Sequence, residues 1–534
     1  MAGPSPGRPP RRRRPPLRGA TSPAGVRLSG APLLPRASAS RDGTPHTRWH
    51  VHRAPSRGPP PVSVKARLFC IARSTDPGAA SGGLGCGRVR AEGAGAADER
   101  RRVEQGTGAA SGADPVGAAL DRGRRCVAWL TGHAGWVFAG SLALHVLVLA
   151  VHPPTPLDLR VYREGAPHVL TGGLYDYALH TKPPIPVLPF TYPPFAALLF
   201  LPLSPLPWTV LLALWQMLSI AALVVLAAGA LGLLTPRPGG RTRDLALLWA
   251  AAGLWTAPVR HTLDQGQVNL LLGAAVLGGL ALCRGAAARG TAVGLASSVK
   301  LTPAVAGLYL LVTRQWRAAV WAVGTGIATV VLAWCVAPHE SVRYWTELVV
   351  DTHRVGPVWT MRNQSLRGAL TRLLGPDVIA SPLWWAALAG VTLAAAWALC
   401  SCVRRSDALG ALVAVELYGL LMCPISWGHH WIWCVPAMIW LAHGPGRGYT
   451  LSRVTLALWA LVTVTRLVPR LTGVEDGLSR HDPYPALLAW PGTVYAVCAV
   501  LTLLALARAA GGRRRLAVPA AWRPHRAPDR SPLP

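Results

Sequence analysis

Charge is scarce in this chain. Of its 534 residues only 14% are charged, where a soluble protein of ordinary composition carries about 25%. Lysine is nearly missing, present only at Lys65, Lys182 and Lys300, so almost every cation is an arginine. With a 51% hydrophobic share, that shortage excludes an enzyme folded wholly in water. Metal-ligand spacing is also missing. The ten cysteines are scattered, with Cys400-Ser-Cys402 the only close pair. Cys283, Cys335, Cys423 and Cys434 lie in or beside apolar runs and read as buried, inert thiols. No apolar core follows the Arg11–Arg14 block, so the basic start does not read as a secretory signal.

What the chain does have is a series of apolar runs long enough to cross a bilayer, from about residue 134 to residue 509. The formal net charge of +31 invites a nucleic-acid reading. Its distribution excludes one, because the excess sits in the first 125 residues, the final tail and short loops between apolar runs. Residues 1–125, rich in Pro, Gly, Ala and Arg and without periodicity, are expected to be disordered. They are either a basic cytoplasmic arm or the product of a start assigned too far upstream, and the second is slightly favoured. Residues 126–510 form the membrane domain, and 511–534 read as a basic cytoplasmic tail.

The positive-inside rule orders the spans. The first, about 134–152, leaves Arg122, Arg124 and Arg125 behind it, so it runs outward and delivers the following loop, 153–204, to the exterior. That loop is Pro-rich, with an amphipathic stretch at 159–170 suited to an interface. Further spans are expected near 205–234, 244–258, 268–283, 318–337, 380–400, 408–423, 431–443, 454–469 and 488–509. Residues 291–313 are apolar but interrupted by Lys300-Leu-Thr-Pro303, which predicts two short helices meeting near the outer side. The sum is about twelve crossings with both termini inside, at a plasma membrane.

On this topology the unusual polar clusters fall on one face. They are Asp158 with Arg160 and Arg163, Thr191-Tyr192, Arg260-His261, Asp264-Gln-Gly-Gln267 with Asn269, Lys300, Arg362-Asn363-Gln364-Ser365 and Ser426-Trp-Gly-His429-His430. Polar groups at membrane depth are costly, so their convergence points to function. Each has a plainer reading beside it. Asp158 could cap a helix, Lys300 could snorkel, Arg260 could anchor at the interface, and His429-His430 could bond a carbonyl. A zinc site at the His pair is disfavoured, since adjacent histidines are not the i, i+4 pair a helix needs. Glu416, inside an apolar run, is either structural or a proton-relay acid.

Asp158-Leu-Arg-Val-Tyr162, Gly172-Gly-Leu-Tyr175, Phe190-Thr-Tyr-Pro-Pro-Phe195, Gly266-Gln-Val-Asn269, Gly294-Leu-Ala-Ser-Ser-Val-Lys-Leu-Thr-Pro303, Asn363-Gln-Ser365 and Ser426-Trp-Gly-His-His430 stand in a familiar order. Over roughly residues 130–510 the chain resembles glycosyltransferase family 87, the actinobacterial polyprenyl-phosphate-mannose-dependent α-(1→2)-mannosyltransferases. The resemblance implies an all-α polytopic GT-C-type fold. It also implies transfer of mannose from a polyprenyl-phosphate donor to a glycolipid or glycan acceptor at the outer face. An acid in the first outer loop would be the base, which is Asp158 here. Many GT-C relatives carry a second acid close to the first, whereas Leu159 and Arg160 follow Asp158.

Such a reaction needs a base for the acceptor hydroxyl and fixed positive charge for the departing phosphate. Asp158 would supply the first. Lys300, His429, His430 and Arg260, together with Tyr192, Gln267, Asn269, Asn363 and Gln364, are candidates for holding the donor phosphate or sugar. Side chains alone can neutralise a monophosphate, so no metal and no cofactor are expected. Membrane lipid is the remaining partner. The competing class is a multi-pass transporter or lipid flippase with Asp158, Lys300 and Glu416 along a pathway. Transporters usually carry internal repeats and a midplane site, and neither is visible in the sequence.

Overall fold

Long uncharged runs of Leu, Ala and Val must satisfy their backbone groups internally when water is absent, and helices do so locally. A computed structural model describes residues 115–181, 187–235, 239–376, 378–478 and 485–509. Most of the segment expected to be disordered, and the tail from 511, lie outside the described residues. Helix α1, Pro115–Gly132, begins ahead of the boundary at residue 125. It is followed by α2 (Ala134–Val151), α3 (Leu157–Gly165), α4 (Trp208–Leu234), α5 (Gly240–Gly253), α6 (Ala257–Gln265), α7 (Asn269–Leu282) and α8 (Ala286–Val299). Next come α9 (Ala306–Val312), α10 (Trp316–Val336), α11 (Pro382–Arg405), α12 (Ala408–Met422), α13 (Cys434–His443), α14 (Thr450–Val464), α15 (Leu467–Asp476) and α16 (Val494–Arg508).

Among the described residues five helices are long and apolar enough to cross a membrane, or seven if the bent pairs α6–α7 and α14–α15 each count as one span. The chain is therefore a multi-pass, all-α membrane protein. The expected twelve crossings are not reached by that measure, because several expected spans are short. Helix α5 has 14 residues and α13 has 10, against the ~20 that a straight crossing needs. An apolar surface lies open on α10, where Val320, Val323, Ile327 and Val331 are exposed at helical spacing.

Small residues set the closest crossings. A Cβ added at Gly290 of α8 would stand 2.1 Å from the Ala318 carbonyl oxygen of α10. One at Gly294 would stand 2.6 Å from that of Ala322. This small-xxx-small pair lets the two backbones touch, the contact that drives helix association in lipid. At the centre, α12 is buried on nearly every side, from Ala408 to Leu421, and α13 is buried likewise from Cys434 to Leu441.

The interrupted segment at 291–313 breaks where expected. Helix α8 stops at Val299, Lys300 takes an extended conformation (φ −149°, ψ 134°), and a 3-10 turn at Thr302–Val305 leads into α9. The Pro-rich loop after α2 carries more structure than its composition suggested. The expected stretch 159–170 is helical only to Gly165, with a further turn at His168–Thr171. Strands β1 (Ala178–His180) and β2 (Val187–Pro189) then pair antiparallel.

Candidate active site

Three prolines before Leu157 prevent the end of α2 from continuing as helix, so α3 starts afresh with Asp158 in its first turn. Leu159, Tyr162 and Gly165 are buried, while Arg160 and Glu164 form an i, i+4 ion pair of 3.0 Å on the open face. Asp158 is half-buried at the boundary between those faces. Against it packs the break between α6 and α7, which turns the chain by 119°. Gly266 occupies the left-handed region at φ 67°, and a Cβ there would stand 2.6 Å from the Leu159 Cβ. Only glycine permits both the turn and the contact. The turn aims Gln267 and Asn269 inward, beneath Asp158.

Gln267 is the hub of the site. Its side chain lies beside the Asp158 carboxylate and favours the charged form. Its Oε1 accepts from the Tyr162 hydroxyl at 3.0 Å, the Tyr192 hydroxyl at 3.1 Å and the Lys300 ammonium at 3.5 Å. The two tyrosine hydroxyls lie 2.8 Å apart. Lys300 also donates to Asn269 Oδ1 at 2.9 Å, meets His430 Nε2 at 3.0 Å and lies 5.4 Å from the centre of the Tyr192 ring. An ammonium can only donate, so His430 Nε2 accepts and the proton of the neutral ring sits on Nδ1. The helix break at Lys300 is what turns this lysine toward the α6–α7 turn.

Burial pushes the Asp158 carboxyl up to about 6, opposed by the Gln267 hydrogen bond and the Lys300 charge. A carboxylate placed this way is a stronger base than an exposed one and still ionised at neutral pH. Among the described residues no three His, Cys, Asp or Glu side chains converge as metal ligands.

The remaining predicted residues lie around this network. His429 and His430 stack edge to face at 4.7 Å, and His429 meets His261 at 5.1 Å. The His429 carbonyl accepts from Asn269 Nδ2 at 3.0 Å and Thr262 at 3.2 Å, while neither ring nitrogen finds a partner among the described residues. Asn363 and Gln364 sit in an adjoining loop, and their amides are largely spent on it. Asn363 Nδ2 donates to the Val358 and Pro424 carbonyls at 2.9 and 3.1 Å, and its Oδ1 accepts from the amides of Ser426 and Ser365. Gln364 donates to the Met361 carbonyl at 2.7 Å. This pair fixes the strand-like contact that carries Trp427 and the histidines. Arg260 points elsewhere, meeting His145 Nδ1 at 2.8 Å and Asp264 at 3.7 Å. Glu416 is buried in α12, its Oε1 without a partner among the described residues. An apolar cavity of about 360 Å³ adjoins the site, lined by Pro193, Phe195, Ser297, Leu301, Ile327 and Trp345 among others. Its walls neighbour Tyr192 and Lys300 in sequence.

The profile of Glycosyltransferase family 87 matches residues 190–427. A polyprenol-phosphate-mannose-dependent alpha-(1-2)-phosphatidylinositol pentamannoside mannosyltransferase of Mycolicibacterium smegmatis is 41% identical over 354 residues, covering 65% of this chain and 84% of its own. The chain belongs to glycosyltransferase family 87. A relative from Mycobacterium tuberculosis, a polyprenol-phosphate-mannose-dependent alpha-(1-2)-phosphatidylinositol mannoside mannosyltransferase, is 33% identical over 376 residues, covering 66% of this chain and 83% of its own. Among solved structures, ArnT from Cupriavidus metallidurans in the apo state aligns at 18% identity and a TM-score of 0.28, over 72% of this chain and 78% of its own.

For this family 87 chain, the fold gathers Asp158, Tyr192, Gln267, Asn269, Lys300 and His430 into one network. It adds Tyr162, the last residue of the Asp158-Leu-Arg-Val-Tyr162 motif, which was not among the candidate site residues. Tyr162 lies four residues after Asp158 on α3, and that i, i+4 spacing was the available signal. Thr262, which holds the His429 carbonyl, gave no such signal.

Proposed function

We propose that this family 87 glycosyltransferase moves mannose from a polyprenyl-phosphate donor to a mannoside-bearing glycolipid, forming an α-1,2 link. The observation that carries the proposal is the Asp158–Gln267–Lys300 arrangement, in which a base and a cation share one amide. Its relatives are named for that donor and for phosphatidylinositol mannoside acceptors.

In the proposed step Asp158 takes the proton of the acceptor hydroxyl as its oxygen attacks the anomeric carbon. The bond from that carbon to the phosphate oxygen breaks, and polyprenyl phosphate leaves with both electrons. Direct displacement inverts the anomeric centre. A phosphate leaving group needs no general acid, only positive charge where its negative charge grows. Lys300 is assigned that role, with the Tyr192 hydroxyl and His430 beside it. Asn269 and Gln267 hold Lys300 in place, and Asn363 with Gln364 support the loop carrying His429 and His430. Arg260 lies outside this network and is assigned a structural role. The isoprenoid chain is assigned to the apolar cavity beside Leu301 and Phe195. The site is proposed to open at the outer face of the plasma membrane within a GT-C-type fold of about twelve crossings, with both termini cytoplasmic.

The test is transfer by the purified protein from radiolabelled polyprenyl-phosphate mannose to a mannoside. Asp158→Asn keeps the shape but removes the base, and near-complete loss of turnover is expected with normal expression and membrane insertion. Retained turnover would remove the assignment of Asp158. Retention of configuration in the product would rule out direct displacement.

A further inference from the structure

Asp264 was conspicuous in the sequence, and the network above does not use it. It lies one turn beyond His261 on α6, and the two share the open face of that helix while Arg260, Thr262 and Leu263 are buried. Two guanidiniums flank its carboxylate, Arg260 at 3.7 Å from one oxygen and Arg466 at 3.9 Å from the other. Both distances suit an ion pair but exceed hydrogen-bond length, and its side chain is 33% exposed. The acid is thus held in place while its lone pairs stay open among the described residues. Arg466 marks the break between α14 and α15 and takes a left-handed conformation at φ 55°. Such a conformation is uncommon for a residue with a side chain and recurs at functional positions.

Its location completes the case. Two residues after Asp264 comes Gly266, whose backbone packs on Leu159, the neighbour of Asp158. Asp264 therefore sits on the helix that ends against α3, the helix of the base, and not among the residues following Asp158. Its charged partners, Arg260 and Arg466, are not those of Lys300.

We propose that Asp264, with His261 beside it, is the acceptor-positioning residue, accepting hydrogen bonds from hydroxyls of the mannoside so that its reacting hydroxyl reaches Asp158. This rests on the transfer reaction proposed above. A carboxylate with lone pairs open to the site suits the hydroxyls of a neutral polyol.

The experiment uses the full-length purified enzyme, labelled polyprenyl-phosphate mannose and octyl α-mannoside, an acceptor without phosphate. Asp264→Asn is expected to raise the acceptor KM about tenfold or more, the size of one lost charge-assisted hydrogen bond, with the donor KM unchanged. An unchanged acceptor KM, or equal rises for donor and acceptor, would overturn the proposal. So would an effect seen with a phosphatidylinositol mannoside but absent with octyl α-mannoside. Should Asp264→Asn fail to fold, His261→Ala decides by the same split between the two KM values. Absence of transfer by the unsubstituted enzyme would instead refute the reaction itself.

Discussion

Asp158 is raised to about 6 mainly by burial, and that fixes a pH dependence. The base must be deprotonated to act, so transfer should be near its plateau at neutral pH and fall as pH drops through about 6. Well below that point the decline should approach ~tenfold per unit, as a single essential base requires. A flat profile of kcat/KM for the acceptor between pH 5 and pH 7, in a protein that stays folded, would contradict the assignment. Lys300 offers a sharper check because it touches both halves of the mechanism. Lys300→Ala should lower turnover by ~10²-fold or more, the usual cost of removing one fixed donor to developing charge. Removing the cation also disfavours the Asp158 carboxylate, so the acid limb of any residual activity should move to higher pH. A structural lysine would lower activity without moving that limb. Lys300→Arg should rescue poorly, since a planar fork cannot reproduce contacts to Asn269, His430 and Gln267 made from a single nitrogen.

At the level of elements, the site exists because two helices break. The α6–α7 turn at Gly266 and the α8–α9 interruption at Lys300 bring Gln267, Asn269 and Lys300 together under α3. Gly266→Ala tests this directly. The new Cβ would meet Leu159 at 2.6 Å in a left-handed residue, a cost on the order of 2 kcal/mol or more. The melting temperature should drop, and transfer should fall further than stability alone explains, because Gln267 would be displaced from Asp158. Full activity would show that the turn does not position the hub. The break at Lys300 was legible in the sequence, since Pro303 forbids a continuous helix and lysine is otherwise nearly absent. The position of Asp158 at the start of a short amphipathic helix was legible from the prolines before it. The β1–β2 hairpin was not, because its strands are three residues long and give no alternation to read. Nor was the division of labour among the polar motifs. Asn363 and Lys300 look equally functional as isolated letters, and only the fold shows that one amide bonds its own loop while the ammonium faces the base.

The whole molecule poses the question of orientation, and here sequence and structure supply different halves of an answer. Hydropathy and arginine placement gave a sidedness and about twelve crossings, of which five to seven are long apolar helices or bent pairs among the described residues. The helices describe which residues share a site and which apolar side chains lie exposed on the outside of the bundle. The difference lies in helix length. Helices such as α5, with 14 residues, and α13, with 10, are too short to cross straight. Hydropathy alone cannot tell a half-crossing from a whole one. Sidedness can be tested by single cysteines in a background whose native cysteines are replaced by serine or alanine. His353 is exposed in the segment leading to Asn363, and Arg447 is exposed between α13 and α14. If the site faces outward, His353→Cys should react with a membrane-impermeant maleimide in intact cells, and Arg447→Cys should react only after permeabilisation. The reverse pattern would put the site in the cytoplasm and overturn the outer-face assignment. Labelling of both in intact cells would break the alternation of loops on which the topology rests.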